Sequence, residues 1–483
     1  MSSPKPDFGF PFPSRRKLDY DCADDDQTEP AVILNLIFGS LALLSFALTL
    51  WQWLVARRFP LHQRVAETES STDSGSSRRE EALTPSSPPS TLYAQPPLTL
   101  LKPLKGCDSS TEDCLRSWFS QQYSGPTQIL FGVAATDDPV CGIVRKLVQE
   151  FPGSDAQLIV GTPLPGANAK VAKLVELECL AKYDLLVISD ADVLVPPDFL
   201  ANIVAPLHEV PLAHPMGEGS GVRAYGLVCC FYRLANPTTL AMQWEAIGMN
   251  ADFWSQVLQS RSLKPLDFAL GAVMATRRQH LEEIGGFAPL VDCLADDYQL
   301  GNRIARRGHP IILSSLVVEC WSAPMGWAAV WKHQLRWART IRVCQPAPYF
   351  FSLLSNATLW PLLWLVVKPG AATLTCALFC WLVRILTALN LQQRLDHPRT
   401  PGGRASSRAQ TSPENGARGD ARPPASKPPS YAPWRYAWLI PVKDLLQAAL
   451  WLLAFLGNHI EWRGQRMRLR PDGTLEPLKQ PAP

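Results

Sequence analysis

Charge is scarce in this sequence, and paired cysteines are absent. Only 18% of the 483 residues are Asp, Glu, Lys or Arg, against roughly 25% in an average soluble domain, and the formal net charge is +3. That balance excludes a protein whose main business is nucleic acid. The 12 cysteines include no CxxC pair and are scattered, many of them in apolar stretches. This excludes a disulfide framework or a zinc site built on these cysteines and predicts reduced, buried thiols on a cytosol-facing protein. No apolar run starts early enough for a cleaved signal, since the first begins at Ala31. Proline is abundant instead, at 44 residues, beside a 47% hydrophobic content. Apolar and disordered blocks therefore alternate along the chain.

Residues 1–30 are polar, Pro-rich and acidic near their end, and read as disordered. Residues 31–55 (AVILNLIFGSLALLSFALTLWQWLV) carry no charge. As a helix they would be roughly 37 Å long, enough to cross a bilayer with some tilt. Trp51 and Trp53 fall where an interfacial belt belongs, with Arg57 and Arg58 just beyond. This is read as a membrane anchor. A Ser/Thr/Pro-rich linker follows over 56–97. Residues 98–346 alternate short apolar runs (QILFGVAA, QLIVG, YDLLVIS, GLVCCFY, PIILSS) with amphipathic segments near 112–120, 140–151, 167–181 and 197–207. Strands separated by helices predict an α/β domain with a mostly parallel sheet.

Apolar character returns over 347–391, where two membrane-length segments are separated by Lys368-Pro369-Gly370, a predicted transmembrane hairpin. Its second arm carries one charge, Arg384, which must face a partner helix or snorkel. The loop 392–435 has more cations than acids, which places it on the cytoplasmic side. Residues 436–458 are apolar but interrupted by Pro441-Val442-Lys443-Asp444, and 459–483 form a basic tail. If that tail is also cytoplasmic, the interrupted segment is re-entrant or interfacial. Together these features predict a multi-pass integral membrane protein whose α/β domain faces the cytoplasm.

The chemistry-bearing residues lie at predicted strand ends, where α/β sheets bind ligands. In YDLLVISDADVLVPPDFL an apolar strand ends in Asp190-Ala191-Asp192. Carboxylates two residues apart on extended chain project to one side and suit a single Mg²⁺ or Mn²⁺ that also holds a substrate diphosphate. Asp at a strand end is also ordinary turn chemistry. Asp137 and Asp138 end an earlier strand, where a carboxylate can accept from a nucleoside or start the following helix. Lys170 opens a helix near the same edge and can face phosphate, or be a plain surface lysine. Gly271 is placed for close backbone approach or for a bulge. Asp296 and Asp297 open another helix, fit either to cap it or, for Asp297, to act as a general base. In WKHQLRWARTIRV, Arg336 can pair with a diphosphate and Trp337 can stack on sugar or lipid. Arg339 and Arg342 suit anionic headgroups on an interfacial helix.

The order Asp138, Asp190 with Asp192, Asp297, then Arg336-Trp337 before membrane segments resembles glycosyltransferase family 21, the ceramide glucosyltransferases, with their D, D(x)D, D, (Q/R)xxRW signature. LLKPLKG, LGAVMATRR, GGF, ADDY and WRGQRMRLR are similar to family text as well. The resemblance implies a GT-A fold, UDP-glucose as donor, a divalent metal, inversion at the anomeric carbon and ceramide as lipid acceptor. It makes Asp138, Lys170, Asp190, Arg336 and Trp337 donor-binding, Asp190 and Asp192 metal-binding, and Asp297 the base. His333 departs from the signature, with Gln334 one place off, while Asp192 completes a DxD that animal members often lack. The strings LADDYQLGNRIARRG and RWARTIRV are also similar to hopanoid-biosynthesis glycosyltransferases, so a hopanoid is the alternative acceptor. A processive polysaccharide synthase would need more crossings, and a non-catalytic scaffold would not need the acidic residues.

Overall fold

The computed structural model describes residues 25–64, 95–161, 166–207, 225–396, 432–462 and 465–478. Most of the expected N-terminal disorder, the linker over 65–94 and the loop over 397–431 lie outside the described residues.

Among the described residues eight strands form one sheet in the order β3-β2-β1-β4-β7-β6-β8-β5. They are β1 Leu98–Pro103, β2 Thr127–Val133, β3 Asp155–Val160, β4 Leu185–Ser189, β5 Val193–Leu194, β6 Leu227–Leu234, β7 Val273–Arg277 and β8 Ile311–Cys320. β3, β2, β1 and β4 run parallel, as do β6 and β8, while β7 is antiparallel to both neighbours. The expected α/β, mostly parallel sheet is present. Helices cover both faces, so β-strand alternation sends apolar side chains into two cores. Leu186 and Ile188 enter one; Leu185 and Val187 enter the other.

The first core continues into the apolar helices. The N-terminal helix spans Asp25–Arg58, longer at both ends than the predicted anchor, and its Ala56 joins this core with Phe59. Ala388, Leu391 and Leu395 of the helix Ala371–Leu395, and Leu439, Ile440 and Leu450 of the helix Leu439–Phe455, join it too. The predicted linker thus begins as helix and then as packed chain, with the Phe59 ring edge-on to Phe231 at 5.5 Å. Gln52 donates to the Ser255 hydroxyl at 2.6 Å and the Trp53 indole to Asn390 at 3.0 Å. These polar contacts fix the orientation of this helix where apolar packing alone permits sliding.

Two described helices, Pro30–Arg58 and Ala371–Leu395, are long and apolar enough to cross a membrane. The first predicted arm of the hairpin is not one straight helix: Pro346–Ser355 and Leu359–Val367 meet at 55°, and counted as one broken span they would make a third. The break has a local cause. Asn356 accepts from the amides of Thr358 at 3.2 Å and Leu359 at 2.9 Å, starting a new helix, and donates to the Asp444 carbonyl at 2.8 Å. The interrupted segment, by contrast, is a continuous helix from Leu439, because Pro441 sits in its first turn, where no intrahelical donor is lost.

The expected basic tail is folded. His459–Trp462, Gln465–Leu469 and Leu475–Pro477 form an antiparallel three-stranded sheet with Ile460, Met467, Leu469 and Leu475 buried. Alternation puts Arg466 and Arg468 on the opposite, exposed face from Met467 and Leu469. The described cysteines are free, but Cys107, Cys179 and Cys376 are exposed rather than buried.

Candidate active site

The candidate site is built where β4 ends. Asp190 follows Ser189, its amide donating to the Ala272 carbonyl at 3.1 Å, and Asp192 precedes β5, its carbonyl accepting from the Trp321 amide at 2.9 Å. The Asp-Ala-Asp turn is therefore held from both sides by backbone before any side chain acts.

Lys170 brings distant segments together. It lies in the first turn of the helix Ala169–Leu180, whose N-cap is the buried Asn168, accepting from the amides of Lys170 at 3.0 Å and Val171 at 3.3 Å. Its ammonium reaches Asp190 at 2.7 Å and Asp296 at 2.9 Å with only 12% of the side chain exposed. These two carboxylates raise its pKa against the opposing cost of burial. The plain surface lysine is excluded by this burial and pairing.

Asp297 follows Asp296 at the start of the helix Asp296–Arg306. Two glycines bring this helix in. A Cβ on Gly301 would lie 2.3 Å from the Ala269 amide nitrogen, and a Cβ on Gly271 2.7 Å from an Asp297 carboxylate oxygen. Backbone passes close here, but against the candidate base. Burial, then the neighbouring Asp296 charge, pushes the Asp297 carboxyl up to about 6, with Lys170 opposing. Asp192 opens on the cleft yet is ringed by protein, and that desolvation with the Asp190 charge pushes it up to about 6. Gly271→Ala is expected to displace the Asp297 carboxylate and lower kcat on the order of 10- to 100-fold, with a thermal midpoint near wild type. Steady-state kinetics beside a melting curve checks this.

A second lysine was not singled out by sequence reasoning. Lys102 is fully buried in β1; its ammonium donates to the Asp190 carbonyl at 2.7 Å and the Ser189 hydroxyl at 3.2 Å, and lies 4.7 Å from the Trp118 ring centroid. Burial lowers its pKa to about 8. The signal was legible in LTLLKP: a lysine inside an otherwise apolar buried strand requires a partner.

Asp138 stands at the same edge, beyond β2. Its carboxylate accepts from the Gly106 amide, 3.0 Å from each oxygen, and from the Val140 amide at 3.0 Å. It ties the loop after β1, where Gly106 has φ +66°, to the start of the helix Val140–Glu150.

Arg336 and Trp337 lie on the helix Trp327–Cys344, half-buried, with the Trp337 ring 4.5 Å from His333. This helix docks beside the Asp297 helix: the Tyr298 hydroxyl donates to the Cys344 carbonyl at 2.8 Å. His333 and Gln334 both bind the buried Glu245, at 2.6 and 2.9 Å, so the departure from the signature still supplies donors to one acceptor. Glu245 was another unanticipated residue, concealed in an apolar helix. Trp331 stacks on Trp244 at 6.1 Å. Arg339 donates to the His459 carbonyl and Arg342 to Asn458, holding the small C-terminal sheet in place of the headgroups expected for them. That sheet also bonds the loop before Asp296, through Leu475 to Asp292 at 2.7 Å and Leu294 to Gly473 at 3.2 Å.

The donor set fits a divalent cation. Asp190, Asp192, Asp296 and Asp297 face Lys102 and Lys170 as the nearby ammonium groups, a formal balance of minus two. No hydrogen bond or ion pair from another described side chain engages the Asp192 carboxylate, and hard carboxylate oxygens suit Mg²⁺ or Mn²⁺.

A mostly parallel sheet with carboxylates clustered at one end, joined to helices long and apolar enough to cross a membrane, defines an α/β domain with a charged candidate site. The chain belongs to Glycosyl transferase family 21, whose sequence profile matches residues 73–475. It is 32% identical over 138 residues to a ceramide glucosyltransferase of Candida albicans, covering 26% of this chain and 25% of that one. It is 23% identical over 228 residues to ceramide glucosyltransferase 3 of Caenorhabditis elegans, covering 46% and 45%. The matches thus span between a quarter and about half of these relatives' length. Among solved structures, the mannosyltransferase PcManGT of Pyrobaculum calidifontis, in complex with GDP-Man and Mn²⁺, is similar over 75% of this chain and 96% of that one, with 20% identity and a TM-score of 0.44.

Proposed function

We propose that this chain is a membrane-bound inverting hexosyltransferase that moves glucose from UDP-glucose to a lipid hydroxyl, that of ceramide. The observation that carries the reading is the Lys170 bridge, which draws Asp190 and the Asp296-Asp297 pair to one cleft. Asp190 and Asp192 would hold the divalent ion, which neutralises charge on the departing diphosphate. Lys170 adds a fixed positive charge beside that diphosphate, and Arg336 a second one from the neighbouring helix. Asp138, through the Gly106 loop, flanks the nucleoside. Trp337 lines the approach of the lipid.

In a single displacement the acceptor oxygen forms a bond to the anomeric carbon as the bond to the diphosphate oxygen breaks. UDP leaves with that electron pair, and the hydroxyl proton passes to Asp297. A base lifted to about 6 is ionised at pH 7.5 and more basic than an ordinary carboxylate. The apolar helices packed into the domain's own core would keep the cleft beside the bilayer, on its cytoplasmic side, where an insoluble acceptor can reach it.

Membranes carrying the protein, given UDP-glucose with ceramide or with a hopanoid, test this by mass spectrometry of the lipid product. Expected is β-glucosylceramide, formed with Mn²⁺ or Mg²⁺ and lost with EDTA. A glycosylated hopanoid alone would move the acceptor; no glycolipid with either lipid would overturn the reading.

A further inference from the structure

His280, Glu283 and His309 cluster at the other end of the sheet, and no part of the proposed reaction uses them. β7 begins beside Ser189 and ends at Arg277 beside Leu185, so it leads away from the carboxylate cleft by roughly 13 Å over its length. The short helix Arg278–Glu282 follows, and the i,i+3 spacing of His280 and Glu283 puts both side chains on one face. His309 arrives from the turn before β8. Gly308 takes φ +89° there, and Gly226 leaves the space that the His309 backbone and Cβ occupy: a Cβ on Gly226 would lie 2.4 Å from that of His309.

One potential ligand atom from each residue lies within 4.8 Å of the others. His309 Nε2 is 2.5 Å from one Glu283 oxygen, His280 Nδ1 is 3.8 Å from the other, and the two imidazole centroids are 4.1 Å apart. His280 is only 5% exposed, and among the described residues neither ring nitrogen reaches a hydrogen-bond partner, the Glu283 oxygen at 3.8 Å being too distant. An imidazole buried this way has only a distant carboxylate in exchange for its lost hydration, and an ion between the two is one of the few things that satisfies both. Tetrahedral zinc sets its ligand atoms roughly 3.3 Å apart, which these side chains reach by small rotations. Two imidazoles and one carboxylate are a donor set for zinc, with water at the fourth position, and a poor one for Mg²⁺ or Ca²⁺.

We propose that His280, Glu283 and His309 bind one zinc-class divalent ion at a site separate from the candidate active site. It would brace the turn after β7 against the turn before β8, on either side of the start of β6. That start is already pinned by Gly226 to Pro310 at 2.9 Å and by Thr276 to Gly226 at 2.6 Å. The proposal stands independently of the transferase reading.

The full chain in detergent, stripped with chelator and dialysed against zinc, is assayed by elemental analysis. About one zinc per chain is expected, retained in Asp190→Asn/Asp192→Asn and lost in His280→Gln/His309→Gln. Zinc at a hundredfold excess over Kd should raise the wild-type melting temperature on the order of 5 °C and leave the histidine variant unmoved. Wild type with Co²⁺ should show the visible d–d bands of a four-coordinate nitrogen-ligated site, which decides the matter even if the variant fails to fold. No zinc uptake, uptake unchanged in the folded histidine variant, or no such bands would each overturn the site.

Discussion

Asp297→Asn is expected to reduce glycolipid formation on the order of 10²- to 10⁴-fold, the usual range for a lost general base. It should also make the folded protein more stable at neutral pH. The carboxyl is held at about 6 by burial and the Asp296 charge, above its value of roughly 3.9 in an unfolded chain. Ionisation is thus disfavoured in the fold. The penalty is complete above pH 6 and vanishes as pH falls below the unfolded value. Asparagine removes it: discounted for partial exposure, the gain at pH 7.5 is about 1–2 kcal/mol, or roughly 2–6 °C in melting temperature, fading toward pH 4. In the wild type, log kcat/KM should bend downward on acidification with an apparent pKa near 6. An Asn variant that turns over normally, or a rate flat down to pH 5, removes Asp297 from the reaction.

The second large effect is expected in the apolar half. Arg384 is buried and pairs with Asp252 at 2.9 Å and with both oxygens of Asp444, at 2.8 and 2.9 Å; Lys443 also pairs with Asp252. Thr358, beside the break in the bent helix pair, donates to Asp444 at 2.7 Å. Two cations and two anions thus join the π-helical turn Gly248–Phe253 of the α/β domain to the helices Ala371–Leu395 and Leu439–Phe455. Arg384→Met strands the buried Asp444 carboxylate while Lys443 stays with Asp252, and about 3–5 kcal/mol should be lost, read as collapse of the detergent melting temperature and of monodisperse yield. Arg384→Met with Asp444→Leu leaves Lys443 and Asp252 as a neutral pair and should recover most of that loss. A single variant as stable as wild type would show that the quartet does not hold the two halves together.

Much of the site was legible because its residues sit at strand ends, and strand ends are readable from apolar runs. QILFGVAA and YDLLVIS place Asp138, Asp190 and Asp192 at one edge of the sheet. Arg384 announced its need of a partner by being the one charge in its apolar arm, and Lys102 carried the same signal within β1. Glu245, the one charge of the apolar helix Leu240–Ile247, carried that signal too, but its partners His333 and Gln334 are 88 and 89 residues away and could not be read from it. The tail misled for a related reason. Arg466, Arg468 and Arg470 dominate its composition, while Ile460, Met467, Leu469 and Leu475, which drive its folding, are few and widely spaced.

Pattern and composition alone determined an α/β domain with acidic strand ends and apolar flanking helices, because periodicity and hydrophobicity are local properties of the chain. Tertiary structure decided which carboxylate meets which cation. Lys170 chooses Asp190 and Asp296, Arg384 chooses Asp252 and Asp444, and Asp138 serves a backbone loop. Charge pairing depends on distance across the fold, and a buried charge settles only where packing delivers its counter-ion.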